Sequence, residues 1–447
     1  MKLPRQAVRC AHPRHAIKEY YTKVARRETA AASPVRARHP SASGNGPYSG
    51  TPIDSARIQR DNFSRQIRNV TSGAAQVFAN TLKRRAEALL ARADIRIGGD
   101  RPWDIIVHRP EFYPRVFREG SLGLGESYMD GWWDSPALDQ FFDHLFHAHL
   151  DRRAFPAWGA IRLYLQSLLL NPQTKSRSFQ VGEGHYDRGN DLFQAMLDKR
   201  MVYTCACWDA AADLDSAQEA KLEFVCRAIG AHPGMKILDI GCGWGSFAKY
   251  AAEKYCAHVT GLTVSREQAQ LARERCSGLP VEILLHDYRE QSQLQKKFDG
   301  IVSLGMFEHV GCKNYRTFME VVRHALAGCG RFYLSCIGKN VSVRFTDPWI
   351  EKYIFPNSML PSIKQIGAAT EGLFVMEELQ NWGLHYDRTL MAWFQNFEDH
   401  WNELSAQYDQ RFFRMWKFYL MASAGSFRSR RLQAWQMLFS PEGAKGC

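Results

Sequence analysis

The run Asp239-Ile240-Gly241-Cys242-Gly243-Trp244-Gly245 places three glycines at alternate positions behind an acid. Glycines at such a turn let a ligand approach the backbone and let the chain bend sharply into a helix. The spacing narrows the ligand. A dinucleotide turn carries G-x-G-x-x-G, with an acid about 20 residues further on for the ribose. Here the third glycine comes one residue early, and the next apolar segment ends in Thr263-Val264-Ser265 with no acid. A pyrophosphate ligand is therefore not expected. Further along, polar residues end apolar runs at Asp287-Tyr288, Glu308-His309 and Ser335. Asp287 suits the amino group of an adenine, with Tyr288 stacked on the ring. The competing role for Asp287 is to cap the turn that follows it.

These residues need a frame. Short apolar runs predict strands over Lys236–Ile240, His258–Thr263, Val281–Leu285, Gly300–Ser303 and Arg331–Ile337. Helical spacing falls between most of them, as in Ser246–Tyr255 and Arg266–Cys276. Such alternation predicts a parallel sheet covered on both faces, with ligands beyond the carboxyl ends of its strands. The polar residues above all sit at those ends. Upstream, helical patterns at Leu82–Ala93, Leu138–Leu150 and Trp158–Leu170 predict a small, mainly helical domain over 80–172. His144, His147 and His149 cluster there, but only the first two share a helix face, so no metal is expected.

Bulk composition sets limits. The 447 residues carry a net charge of +12, but residues 1–60 hold 12 Lys/Arg against 3 Asp/Glu, so most of the excess lies there. The remainder is nearly neutral and does not read as a nucleic-acid binder. Residues 1–79 are basic, rich in Ser, Ala and Pro, and expected to be disordered. A basic tail favours an anionic membrane surface by about 1 kcal/mol per Lys/Arg near it. The eleven Cys lack paired spacing, as expected of a reduced cytoplasmic enzyme. No apolar run is long enough to cross a bilayer, so any membrane association is expected to be peripheral. The expected division is 1–79, 80–172, a catalytic domain over 173–440, and a tail over 441–447.

The glycine loop resembles that of S-adenosyl-L-methionine (AdoMet) dependent methyltransferases. The likeness implies an α/β, Rossmann-like methyltransferase fold behind the helical N-terminal domain. A more specific resemblance extends over about 82–440. It rests on Gly120–Trp133; Gly184-His185-Tyr186-Asp187; Met201–Ala206; Asp239–Gly245; Gly261–Ser265 with Gln268; Gly305–Gly311; Asp347–Ile350 with Lys352–Asn357; and His385-Tyr386-Asp387. Together these resemble cyclopropane-fatty-acyl-phospholipid synthases, relatives of the mycolic acid cyclopropane synthases.

The resemblance implies residue roles. AdoMet is held by Tyr203, Thr204, Asp239, Gly241, Gly243, Gly245, Thr263, Gln268, Asp287 and Tyr288, with Thr263 and Gln268 at the ribose. A bicarbonate ion acts as base, held at the positions of Cys205, Glu308, Ser335, Ile337 (through its amide) and Tyr386. Ser335 replaces the family's His, and Ser423 replaces a second Cys. Serine supplies one hydrogen bond but no imidazole charge. The resemblance further implies unsaturated phospholipids as substrate and a homodimer. A weakened base would divert the reaction to a methyl-branched or methylene product. A chain that only binds lipid or AdoMet is the remaining alternative.

Overall fold

Alternating apolar residues in the strands build two cores on opposite faces of one sheet. Ile237, Val259, Val302 and Tyr333 pack on one side. Leu238, Ile240, Leu262, Ile301, Phe332 and Leu334 pack on the other. Successive strand residues point to opposite faces, so strands with no polar face are covered twice.

A computed structural model describes residues 79–152, 189–294 and 296–443. The basic extension, the helix expected at Trp158–Leu170, the boundary at 172/173 and Gly184–Asp187 lie outside them. The described residues belong to one compact unit. Its N-terminal part has α1 (79–90), β1 (Ile106–Val107), α2 (Phe112–Glu119), α3 (Ser121–Met129), β2 (Trp133–Asp134) and α4 (Leu138–His147). Then come α5 (Asn190–Met196), α6 (Leu214–Ile229), β3 (Lys236–Ile240), α7 (Ser246–Tyr255), β4 (His258–Thr263), α8 (Arg266–Arg275) and β5 (Val281–Leu285). The chain continues through β6 (Phe298–Leu304), α9 (Tyr315–Ala325), β7 (Leu326–Lys339), α10 (Pro348–Tyr353), α11 (Ile363–Thr370) and β8 (Val375–Asn381). It ends with α12 (Gly383–Asp399), α13 (Trp401–Leu404), α14 (Gln410–Arg428) and β9 (Leu432–Ser440).

The seven-stranded sheet runs β5-β4-β3-β6-β7-β9-β8. Its first five strands are parallel. The last two are antiparallel to their neighbours. From β3 the chain winds outward to β5, then returns to the other side of β3 as β6. That reversal opens a crevice at the carboxyl ends of β3 and β6, the usual place for a ligand in such sheets.

The five parallel strands lie where the sequence places them, with β6 and β7 longer at both ends. The antiparallel strands were not foreseen. β9 carries buried Gln433 and Gln436, and β8 is an edge strand with Glu377, Glu378 and Gln380, so neither shows the apolar signature of a core strand.

The helical N-terminal part docks on α14, the helix before β9. The contact is close because residue 425 is glycine. A Cβ there would lie 2.7 Å from the Asp139 carbonyl oxygen and 2.8 Å from the Asp143 nitrogen, both backbone atoms of α4. Three residues on, the Arg428 guanidinium grips Asp139 at 2.6 Å and Asp387 of α12 through two bonds of 2.9 Å. Replacing Gly425 with Leu forces α4 and α14 apart. It is expected to cost about 1–3 kcal/mol, read as a lowered denaturant midpoint with an unchanged slope.

Candidate active site

The glycine turn leaves β3 and forms one wall of a pocket in the crevice. Gly241 has φ +85°, and a Cβ on it would lie 2.7 Å from that of Met306. Glycine thus satisfies both the backbone angle and the approach of the loop after β6. Asp239, Gly241 and Gly243 line the pocket, with Tyr203, Thr204, Thr263, Gln268, Asp287 and Tyr288 on the facing elements. Of the ten residues expected to hold the cofactor, Gly245 alone is off the wall. It starts α7 at φ +76°, with the Cys276 sulfur 3.0 Å from where its Cβ would be. There its missing side chain lets α7 approach α8 closely.

Thr263 and Gln268 are joined directly, the Thr263 hydroxyl donating to Gln268 Oε1 at 3.0 Å. Ser265 caps α8 by accepting from the Gln268 amide at 3.2 Å. A five-residue separation in sequence thus becomes one polar corner, suited to ribose hydroxyls. Asp287 lines the pocket and is also engaged locally. Both its oxygens hold the Arg289 guanidinium at 2.7 Å, and it accepts from the Arg289 amide at 3.0 Å. Tyr288 meets Phe318 edge-on at 5.2 Å, and its buried hydroxyl has no partner. At the other end of the pocket, Tyr203 Oη lies 2.9 Å from Tyr419 Oη.

Sequence reasoning gave no role to Lys221, placed His309 only among the polar strand ends, and had Met306 only within the family segment Gly305–Gly311; all three line the pocket. Lys221 could have been found, because it is a charged residue on the apolar face of α6. His309 is half-buried, and desolvation of its ring pulls its pKa down to about 4 and keeps it neutral.

The residues expected to hold an anion form a chain of contacts. Glu308 sits on the short turn Phe307–His309, between the pocket residues Met306 and His309. Its Oε1 accepts from the Ile337 amide at 2.5 Å, while its Oε2 is buried without a partner. Ile337 pairs with Ala434 of β9, whose carbonyl accepts from the Trp382 amide at 2.7 Å. The Trp382 carbonyl accepts from the Cys205 thiol at 3.6 Å and from the Tyr386 amide at 3.0 Å. The Tyr386 ring is stacked on Phe427 with centroids 4.6 Å apart. Ser335 lies two residues before Ile337 on the same face of β7, and its carbonyl accepts from the Gly305 amide at 2.9 Å. Phe307 is core, stacked on Tyr315 at 4.4 Å.

Burial governs the titration of this group. With no charged partner, the Glu308 carboxyl is pushed up to about 7. Burial also raises the Cys205 thiol, which stays protonated and acts as a donor. The arrangement offers a neutral thiol and a carboxyl near its titration point, the backbone amide being taken up by that carboxyl, beside the glycine-lined pocket.

The family match, the curated relatives and the solved structures of cyclopropane synthases together place the chain among the AdoMet-dependent methyltransferases. The cyclopropane synthase MmaA2 from Mycobacterium tuberculosis matches with a TM-score of 0.55 at 28% identity, over 58% of this chain and 97% of that one. The mycolic acid cyclopropane synthase CmaA1 complexed with SAH and CTAB matches equally well. More narrowly, the chain belongs to the mycolic acid cyclopropane synthetase family, whose model matches residues 173–437. It is 50% identical over 355 residues to the cyclopropane-fatty-acyl-phospholipid synthase of Escherichia coli K12, covering 79% of this chain and 92% of that protein. It is 31% identical over 435 residues to the tuberculostearic acid methyltransferase UfaA1 of Mycobacterium tuberculosis, covering 87% of this chain and 97% of that protein.

Glu308→Gln tests the buried carboxyl without removing its bond to Ile337, since an amide oxygen can accept that hydrogen. An unfolded Glu titrates near 4.5 and the folded one near 7. The wild-type carboxyl therefore contributes its full stability below the lower value, and loses it as pH rises through the upper one. The stability of Glu308→Gln relative to wild type is expected to rise by on the order of 1–3 kcal/mol between about pH 5 and about pH 8. Thermal denaturation at a series of pH values reads this, and a flat difference refutes it.

Proposed function

We propose that this chain transfers the one-carbon unit of AdoMet to the cis double bond of unsaturated phospholipid acyl chains, giving cyclopropane fatty acids. The observation that carries this reading is the half-identity to the Escherichia coli enzyme over nearly that protein's whole length. AdoMet, when bound, supplies an electrophilic methyl on a sulfonium. The chain's residues must then align that methyl with a weakly nucleophilic alkene, keep water from the resulting cation, and hold a base near the new methyl protons. Aromatic faces suit a passing positive charge, and Tyr386 is placed in such a cluster with Phe427 and Trp393.

The base in this reading is bicarbonate, and the residues present fit it in part. Glu308 Oε2 is buried and open to accept from the ion's hydroxyl. Its raised pKa eases the approach of an anion, because Oε2 when protonated donates to the ion and when ionised accepts from the ion's hydroxyl. The Cys205 thiol, the Ser335 hydroxyl and Tyr386 would complete the set, while the Ile337 amide is already committed to Glu308. Ser335 in place of His removes a cationic donor, so anion affinity rests more on neutral hydrogen bonds. No helix among the described residues is long and apolar enough to cross a membrane. Lipid is therefore taken from the surface, with the basic residues of 1–60 drawn to anionic headgroups. A homodimer is part of the same proposal.

The test uses the full chain with labelled AdoMet and vesicles of a monounsaturated phosphatidylethanolamine. Lipids are expected to gain one CH2 per double bond, with ring protons replacing olefinic ones in NMR spectra. Removing dissolved bicarbonate is expected to lower turnover about tenfold or more, since a positioned base contributes about 10²–10⁴. A methyl-branched or methylene product alone, or AdoMet binding with no labelled lipid, overturns the proposal.

A further inference from the structure

The apolar face of α6 carries two polar residues, Gln218 and Lys221, one turn apart. Gln218 Nε2 donates to the Thr204 carbonyl at 2.9 Å and fixes the stretch that closes one end of the pocket. Lys221 is 3% exposed, and its Nζ donates to Thr204 Oγ1 at 2.9 Å. That neutral hydroxyl is its sole hydrogen-bond partner among the described residues, where no carboxylate lies within ion-pair distance. An ammonium has three donors, and burying one with so little compensation is costly.

A group of opposite sign shares the same cavity. Asp239 lines the pocket with Lys221, and its Oδ2 is buried without a partner. Burial pulls Lys221 down to about 8 and pushes Asp239 up to about 7, the response of charges awaiting a counter-charge. The two do not pair with each other, so each keeps an unfilled position toward the pocket. Thr204 adds a third. Its oxygen accepts from Lys221, which leaves its own O–H to donate.

An ammonium, a hydroxyl donor and a carboxylate held apart on one wall complement a zwitterionic α-amino acid. We propose that Lys221, with Thr204, receives the α-carboxylate at the methionine end of AdoMet, while Asp239 receives the α-ammonium. Lys221 is thus a binding and positioning residue that reads the amino-acid portion of the cofactor and sets where the sulfonium stops. This assignment rests on AdoMet occupying the pocket.

The test is calorimetric binding of S-adenosylhomocysteine and of its decarboxylated counterpart, which lacks only the carboxylate. Wild type is expected to bind the decarboxylated ligand about 10–100-fold more weakly, the effect of losing a charge-assisted contact. Lys221→Met is expected to weaken S-adenosylhomocysteine by a similar factor and to change the decarboxylated ligand less than about threefold. Equal affinity of wild type for the two ligands overturns the assignment, and needs no variant to fold. Equal weakening of both ligands in a folded Lys221→Met also overturns it, since that reports general damage to the pocket. If wild type binds neither ligand, the cofactor reading fails, and this inference falls with it.

Discussion

The absence of a single side chain, at Gly241, governs the rest of the site. The turn after β3 and the loop after β6 meet there, and no space remains for a Cβ beside Met306. The winding order of the sheet brings those two loops together, and the left-handed backbone of Gly241 lets them touch. Contact on this side leaves the crevice open on the other, toward Thr204, Thr263 and Asp287. It also sets the position of the Phe307–His309 turn, which carries Glu308 to the Ile337 amide.

The protein spends stability to keep this region dry. Asp239, Lys221, Glu308 and His309 are all desolvated enough to move toward their neutral forms. Each would be better solvated at the surface, and replacing such groups with apolar ones is often neutral or stabilising. The unpartnered oxygens of Asp239 and Glu308 lie on the cavity wall or just behind it, as expected where binding supplies the missing partners. The same burial excludes the water that would capture a cation, so the electrostatic cost and the chemical benefit have one origin.

Much of this was legible in the sequence, for identifiable reasons. The five parallel strands were found because Val, Ile and Leu runs buried on both faces leave a strong local pattern. The glycine turn was found because its spacing is short, while Thr263 and Gln268 were paired by family likeness. Glu308 and Ile337 were assigned by family likeness, but their direct bond spans 29 residues and depends on the β6–β7 pairing, which no local pattern encodes. The strands β8 and β9 escaped because buried glutamines and an exposed edge do not resemble core strands. Asp287 was read two ways, and the fold lets it do both, since it lines the pocket while its carboxylate holds the neighbouring Arg289. Lys221 was visible as a charge on an apolar helix face, a signal that gains meaning only once the pocket beside it is known.

The double grip of Arg428 bears on how the helical N-terminal part is regarded. One guanidinium holds Asp139 from α4 and Asp387 from α12, next to the stacked pair Phe427 and Tyr386. Excising residues 79–147 would strip that arginine of one anion and bare the flank of α14 against which Phe142 and Tyr128 lie. This layer is therefore a buttress to the catalytic half. Without it, the arginine beside that tyrosine would keep one anion instead of two.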